Sequence, residues 1–542
     1  MRGGRVALGL LALLCASAGS AQIVDRPAGD PTSTDAGLVA GKTLPSGVRA
    51  WFGVPFAAPP VRDLRWRDPQ PHAAWTGVWN ADRPAPECIQ SLRSRNINHY
   101  FGEEATSEDC LYLNIWAPPA PSPAGKPYPV IVWIYGGGFT VGSAFMANYA
   151  GEPLAARGAV YVAIAYRLGP LGFLAHPALT QEGGGHSGNY GLKDQVAALQ
   201  WVNRNIAAFG GDPANVTIAG QSAGSMSVSL LQASPAAKGL FHRVVGMSGS
   251  AFGGVSAPVP LAEGEGEGLE LQKALGAASI EAMRDIPADR LIAAAAPLRS
   301  HAIVLDGQVV PASLEQAFGS GRQNDVPAMI GFTRDEFFRS LGPIASVTDY
   351  EAAIGKSFPA SAAAILRAYP ARTVEQARRA ARDVERDMTL GLQMADWANG
   401  QSTGTSPTFT YLFTRTHPYR TGVRFADHDP ATVGAYHTAD VPYWLGTLDS
   451  LNRFRVTRDW TAYDQSLSAD MMDRLLAFAR TGTPGRDWPA WRAARPRVHL
   501  FGDAMTEGEG GMIDWPNARA LPLLRDAASA TPQPRNPARI RD

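Results

Sequence analysis

The serine in Gly220-Gln221-Ser222-Ala223-Gly224 has glycine two residues before it and two after it. It stands where a short apolar run, Asn215 to Ala219, ends and a helix should begin. A serine at so sharp a turn needs small neighbours, because the turn brings backbones into contact. In return the hydroxyl is lifted clear of the surface, and the amide of the next residue, Ala223, faces the same space. The chemistry open to such a serine is nucleophilic attack on a carbonyl. Read blandly, the pentapeptide is an ordinary surface turn. A second feature speaks against that: Gly136-Gly137-Gly138-Phe139 directly follows the apolar run Pro129 to Tyr135. Glycines there let the backbone turn N–H groups toward a developing oxyanion, and each such donor typically contributes about 3 kcal/mol to the transition state. Gly137 and Gly138 are the expected donors, with Ala223 as the third.

A serine hydroxyl needs a base, and the base needs a carboxylate that orients it and stabilises the imidazolium. Ten histidines are present. Those well after the serine are His301, His417, His428, His437 and His499. Carboxylates that follow apolar runs include Asp306, in Leu305-Asp306-Gly307, and the pair Asp335-Glu336 after Val326 to Phe332. Asp306 reads as a turn residue.

The elements that must position these groups alternate strand and helix. Strands are expected at Pro129–Tyr135, Ala159–Tyr166, Asn215–Ala219, Arg243–Met247, Val326–Phe332, Phe409–Phe413 and Arg497–Phe501. Leu192, Val196, Leu199, Val202, Ile206 and Phe209 recur at helical spacing, Gly210-Gly211 stops the helix, and Asp212-Pro213 opens a turn. This alternation implies an α/β class with a mostly parallel sheet covered on both faces. Alanine-rich helical patterns between about 260 and 323 and between about 350 and 404 are too long for simple connections. They read as helical insertions at one end of the sheet. Ala117–Pro129 reads as a proline-rich surface loop.

Composition narrows the class further. The 542 residues carry 49 Lys and Arg against 49 Asp and Glu, and 45% are hydrophobic. That balance argues against a nucleic-acid partner, which calls for a basic excess, and against general disorder. Arg2 and Arg5, an apolar run from Val6 to Ala16 and small residues to Ala21 have the layout of a secretory signal peptide over 1–21. Cleavage after Ala18 or after Ala21 fits equally well; the competing readings are a buried N-terminal helix and lipidation at Cys15. The run is too short to span a bilayer and no later segment replaces it, so no membrane span is expected. Export places the chain in the periplasm or outside the cell. Loss of the leader removes Cys15 and leaves Cys88 and Cys110, an even pair in an oxidising compartment. A bridge between them closes a loop of about 20 residues, worth roughly 3 kcal/mol. Length alone suggests roughly three or four domains. No Walker A or HExxH pattern is present.

The blocks Ser187-Gly188-Asn189-Tyr190-Gly191-Leu192-Lys193-Asp194-Gln195, Trp201-Val202, Asn205-Ile206, Phe209-Gly210-Gly211-Asp212-Pro213 and the serine turn, together with Ser107-Glu108-Asp109-Cys110-Leu111-Tyr112-Leu113-Asn114, resemble the type-B carboxylesterase and cholinesterase family. The resemblance runs from about Gly47 to Phe501 with the blocks in order. It implies an α/β-hydrolase fold in one catalytic domain, here 22–525, with 526–542 left as a loose tail. It also implies an exported serine carboxylic-ester hydrolase needing no metal or organic cofactor, with a small-molecule ester as its partner. Within Gly434-Ala435-Tyr436-His437-Thr438-Ala439-Asp440-Val441-Pro442-Tyr443 it makes His437 the base, with His417 and His428 as rivals. It puts the acid at Glu336, while Asp335 stays open as a neighbour of the same chemistry. Amide or carbamate hydrolysis would use the same residues, and an inactive binding protein would be expected to have lost them.

The departures from the family are specific. Gln221 stands where many members have Glu, Ser225 where many have a second glycine, Phe337 where a glycine is usual, and Asp440 where Glu is common. Losing a carboxylate beside Ser222 removes a charge that favours cationic substrates. The second family disulfide is missing, with Ala277 and Ala278 near its place. The loop from Cys88 to Cys110 contains no Trp, against a choline site, and Tyr100 or Phe101 is left as a candidate gorge residue.

Overall fold

Strand Tyr128–Ile134 is built from Val, Ile and Trp, and its last five residues have no solvent exposure at all. A strand so apolar on both faces has to sit inside a sheet covered on both sides. The computed structural model describes residues 23–24, 30–91, 93–98, 105–122, 125–253, 257–298, 303–336, 341–504 and 511–530. Within it this strand lies in the middle of an eleven-stranded sheet. The strands are β1 (Lys42–Thr43), β2 (Arg49–Pro55), β3 (Tyr112–Ala117), β4 (Tyr128–Ile134), β5 (Val160–Ile164), β6 (Gly211–Gln221), β7 (Arg243–Met247), β8 (Ala328–Thr333), β9 (Thr408–Phe413), β10 (Arg497–Phe501) and β11 (Gly511–Asp514). Their spatial order is β11-β10-β9-β8-β7-β6-β4-β5-β3-β2-β1. The seven strands from β10 to β5 run parallel, and β11, β3, β2 and β1 are antiparallel to their neighbours.

The chain leaves β4 for β5 on one side and returns to β6 on the other. In open α/β sheets, ligands bind where the order reverses in this way, at the carboxyl ends of the strands. The register places Ile134 opposite Gly220. The segment after β4 therefore lies beside the segment after β6, although 86 sequence positions separate the two residues.

The other expected strands are present within two residues of their expected bounds, except that β6 is longer. Asp212-Pro213, expected as a turn, lies inside β6 where the register slips: Tyr128 pairs with Gly211 and Val130 with Val216. The extra residues bulge out of the ladder, which is how a strand absorbs a proline without losing its pairing. The helix expected from Leu192 is Tyr190–Asn205 (α1), continued by a 3₁₀ turn, Ile206–Phe209, and ended by Gly210 at φ 89°. Helix α2, Ala223–Ala233, follows Ser222 directly. Both expected insertions are helical. The first holds Leu261–Leu275, Ile280–Arg284, Ala288–Ala295 and Leu314–Gly319. The second holds Val347–Ser357, Ala362–Ala368, Val374–Arg386 and Leu392–Gln401. Leu271, Met283 and Leu291 of the first insertion pack on Leu171, Leu174 and Tyr190 as a satellite of the main core.

Residues 526–530, expected to open a loose tail, instead finish a helix, Leu521–Ala530. Leu524 and Ala527 tie that helix to the main core. The rest of the expected tail, the leader 1–21 with Cys15, and Tyr100, Phe101, His301 and Phe337 lie outside the described residues. Among the described residues no helix is long and apolar enough to cross a membrane. Cys88 and Cys110 are bridged and buried beside two paired short strands, Glu87–Cys88 and Thr106–Ser107. Replacing both cysteines by serine releases a loop of 22 positions, and the expected outcome is a loss of roughly 3 kcal/mol of unfolding free energy. Denaturant titration should show it as a lower midpoint, with the variant insensitive to added reductant.

Candidate active site

β6 runs without a break into Ser222, whose backbone sits at φ 55°, ψ −125°. A non-glycine residue held there carries roughly 1–3 kcal/mol of strain and persists only when its surroundings impose it. They do so here. The Ser222 N–H donates to the Met247 carbonyl (2.8 Å) at the end of β7, and the Ser222 carbonyl accepts from the Met226 N–H (2.9 Å) in the first turn of α2. The flanking glycines mark backbone contact. A β-carbon on Gly220 would lie 2.5 Å from the Gly224 carbonyl carbon, and one on Gly224 only 2.0 Å from the Ile134 oxygen. The same spacing recurs at Gly400-Gln401-Ser402-Thr403-Gly404, but Ser402 ends a helix at φ −68° and its hydroxyl donates back to the Ala398 carbonyl. The pattern alone therefore does not make the turn; the strand before it and the helix after it do.

The glycine run after β4 lies against this turn. A β-carbon on Gly136 would come within 2.9 Å of the Ser222 β-carbon. Gly137 (φ 113°) and Gly138 (φ 58°) adopt conformations that other residues rarely take. The Gly137 carbonyl accepts from Thr140 and Val141 (3.0 and 3.1 Å). Among the described residues nothing accepts from the N–H groups of Gly137, Gly138 or Ala223. Gln90, from the disulfide loop, braces the run by exchanging two 2.8 Å hydrogen bonds with Gly142.

Past the end of β8, Glu336 is fully buried and its Oε2 lies 2.6 Å from His437 Nδ1. Its other oxygen accepts from the Thr333 N–H (3.3 Å). A carboxylate against Nδ1 fixes the tautomer with the proton there and leaves Nε2 as the basic nitrogen. Gln221, beside the serine, donates to the His437 carbonyl (2.9 Å). Asp335 turns elsewhere: it accepts from Arg334 Nε (2.8 Å), from Arg379 Nη1 (2.9 Å) and from the Ala435 N–H (2.8 Å). It anchors the segment that leads into His437. The sequence leaves these two neighbouring acids open; in the structure only Glu336 meets an imidazole.

The rival histidines have other partners. His417 Nε2 donates to the Ala439 carbonyl (2.9 Å), and its Nδ1 accepts from the Tyr436 hydroxyl (3.2 Å). His428 contacts Asp427 (3.2 Å) and the Tyr419 hydroxyl (3.2 Å). His499 is part of β10, and burial pushes its pKa down to about 4, so it is neutral. Asp306 caps the N–H groups of Gln308 and Val310 (2.9 and 2.8 Å), the turn role expected of it. Among the described residues no three His, Cys, Asp or Glu side chains gather as a metal site.

Sequence reasoning underrated Asp440, noted only as a departure. It is fully buried and accepts from the Tyr411 hydroxyl (2.7 Å) on β9. Burial, with the Glu336 charge adding to it, raises its pKa from 3.8 to about 7. An aspartate three residues from His437 marks it in the sequence, but only burial shows that it resists ionisation.

The sheet order, the strand–serine–helix turn at the switch point and the catalytic-edge loops define an α/β-hydrolase fold. The chain belongs to the carboxylesterase family, whose model matches residues 31–506, and with it to the carboxylic ester hydrolases. It is 36% identical over 500 residues to fumonisin B1 esterase of Sphingopyxis macrogoltabida, covering 88% of this chain and 87% of that protein. It is 34% identical over 482 residues to para-nitrobenzyl esterase of Bacillus subtilis (strain 168), covering 85% and 92%. A solved PNB esterase structure superposes with a TM-score of 0.75 at 31% identity, over 92% of this chain and 99% of that one.

The raised pKa of Asp440 has a stability consequence. The folded state holds its proton more tightly than the unfolded chain does, so folding is favoured below pH 3.8 and loses that advantage as pH rises toward about 7. Asp440→Asn keeps an acceptor for Tyr411 and removes the titration. Unfolding free energies measured from pH 4 to 7 should show a smaller decline in this variant than in the wild type.

Proposed function

We propose that the chain is an exported serine esterase in which Ser222 is the nucleophile, His437 the base, Glu336 the orienting acid, and the N–H groups of Gly137, Gly138 and Ala223 the oxyanion donors. The observation that carries this reading is the 2.6 Å contact between His437 Nδ1 and the buried Glu336 carboxylate, next to a serine strained at a strand-to-helix turn. Ser222 Oγ attacks the ester carbonyl carbon as its proton passes to His437 Nε2. The carbonyl electrons move onto oxygen, where the three amides receive them. On collapse the carbon–alcohol bond breaks and the alkoxide takes the proton from Nε2. Water, deprotonated by the same nitrogen, then attacks the acyl-enzyme, and Ser222 leaves with the proton as the acid is released. His437 is paired with a carboxylate throughout, so its positive charge is compensated when it forms.

Cleavage of the leader after Ala18 or Ala21 completes the reading, with one catalytic domain over 22–525. The Cys88–Cys110 bridge supports an oxidising compartment. Fractionation followed by N-terminal sequencing should find the protein in the periplasm or medium starting at residue 19 or 22. A cytoplasmic product starting at Met1 contradicts export.

The catalytic assignment is tested with acyl esters of graded length, aryl amides and carbamates. The wild type should cleave the esters with the highest kcat/KM. Ser222→Ala should lose roughly 10⁵-fold or more of kcat, and Glu336→Gln roughly 10³–10⁴-fold because the imidazole loses its tautomer and its counter-charge. Full activity in Ser222→Ala, or faster amide than ester cleavage by the wild type, overturns the assignment.

A further inference from the structure

Gln90 is buried and uses its whole side-chain amide. Its Nε2 donates to the Gly142 carbonyl (2.8 Å) and to the Cys88 carbonyl (3.0 Å), and its Oε1 accepts from the Gly142 N–H (2.8 Å). With both hydrogens and the oxygen engaged, only one orientation of the amide works. The residue thus ties the disulfide loop to the end of segment 136–142, which begins with the glycine run.

The two ends of that segment meet. A β-carbon on Gly142 would lie 2.4 Å from the Gly136 carbonyl oxygen, and one on Gly137 would lie 2.1 Å from the Val141 oxygen. The Gly136 end faces the Ser222 β-carbon. Glycine is the residue least able to fix its own backbone, so the direction of the Gly137 and Gly138 N–H groups has to be imposed from outside. The middle of the segment is held where the Phe139 carbonyl accepts from the Gly169 N–H (2.7 Å). Its far end is held by Gln90. The support behind Gln90 is firm. Glu87 and Ile89 donate their N–H groups to the Ala105 and Ser107 carbonyls (3.0 and 3.1 Å), Glu87 pairs with Arg93 (3.0 Å), and Cys88 is bridged to Cys110.

We propose that Gln90 is a positioning residue: it carries the hold of the Cys88–Cys110 bridge to segment 136–142 and so keeps the Gly137 and Gly138 N–H groups aimed at the developing oxyanion. The inference rests on the esterase reading of the Ser222 centre. Oxyanion donors act more strongly on the transition state than on the bound ester. Loosening them therefore lowers kcat and leaves KM nearly alone.

Gln90→Met keeps the length of the side chain and removes all its hydrogen bonds, while Gln90→Glu keeps only the acceptor. Rates on a 4-nitrophenyl alkanoate are normalised to sites titrated with a fluorophosphonate, so a smaller folded fraction does not count as slower chemistry. Both variants should lose about 10–100-fold of kcat, with KM within about twofold of the wild type. A trifluoromethyl ketone, whose adduct with the serine carries an oxyanion, should lose affinity by a similar factor. Wild-type kcat per titrated site in Gln90→Met, the result for a residue that only stabilises the fold, overturns the proposal. So does a loss that falls on KM instead.

The part played by the bridge is read from a double-mutant cycle. Cys88→Ser with Cys110→Ser, assayed well below its unfolding midpoint, should lower kcat when Gln90 is present and change it little in Gln90→Met. Additive losses overturn the proposal. Amide hydrogen exchange gives a readout independent of turnover: the peptide covering 136–142 should exchange faster in Gln90→Met than in the wild type. Unchanged exchange there overturns the proposal even if esters are cleaved. If the wild type cleaves no ester, the esterase reading fails, and faster exchange in Gln90→Met still supports the clamp.

Discussion

The site depends on a constraint between two backbones: the carbonyl oxygen of Ile134 lies 2.0 Å from where a β-carbon on residue 224 would have to be. That contact permits α2 to begin directly over the end of β4, and it forces the chain between β6 and α2 into the strained conformation of Ser222. The same approach sets Gly136 within reach of Ser222, and so sets the glycine run and its amides beside the serine. The parallel register of β4 and β6 produces both halves of the site at once. Strain at one residue persists because the hydrogen bonds to Met247 and from Met226 hold it from either side.

Around that turn the charges are arranged in pairs with different fates. Asp335 meets two arginines and serves to anchor the strand-end loop to Gly434 and Ala435. Among the described residues Glu336, one residue on, meets only an imidazole and a backbone N–H. Asp440, buried close enough to feel Glu336, is satisfied through Tyr411 and retains its proton to about pH 7. The proposed acid therefore faces its histidine without a second full negative charge beside it in the lower part of that range. Gln221 continues the theme, since an amide can donate to the His437 carbonyl where a carboxylate could not.

How much of this was legible in the sequence follows from where each signal lives. The central strands were readable because burial on both faces leaves uninterrupted apolar runs, as in Val130–Ile134 and Val160–Ile164. Strands of two or three residues, such as Lys42–Thr43 and Val78–Asn80, carry no periodicity and were not found. Asp212-Pro213 reads as a turn from its residue types, yet the neighbouring strand keeps the segment in the sheet as a bulge. The serine turn was readable from its context, as the helical fate of the identical spacing at Gly400–Gly404 shows. The choice between Asp335 and Glu336 was not readable, because it depends on where each side chain points past a strand end.

The central claim is that one strained serine at the switch point is the reacting atom. Its most direct test is titration with a fluorophosphonate, followed by digestion and mass spectrometry. The account predicts loss of esterase activity in step with one equivalent of label, with the adduct on the peptide bearing Ser222. Labelling at another residue, or esterase activity that survives full modification of Ser222, would contradict it.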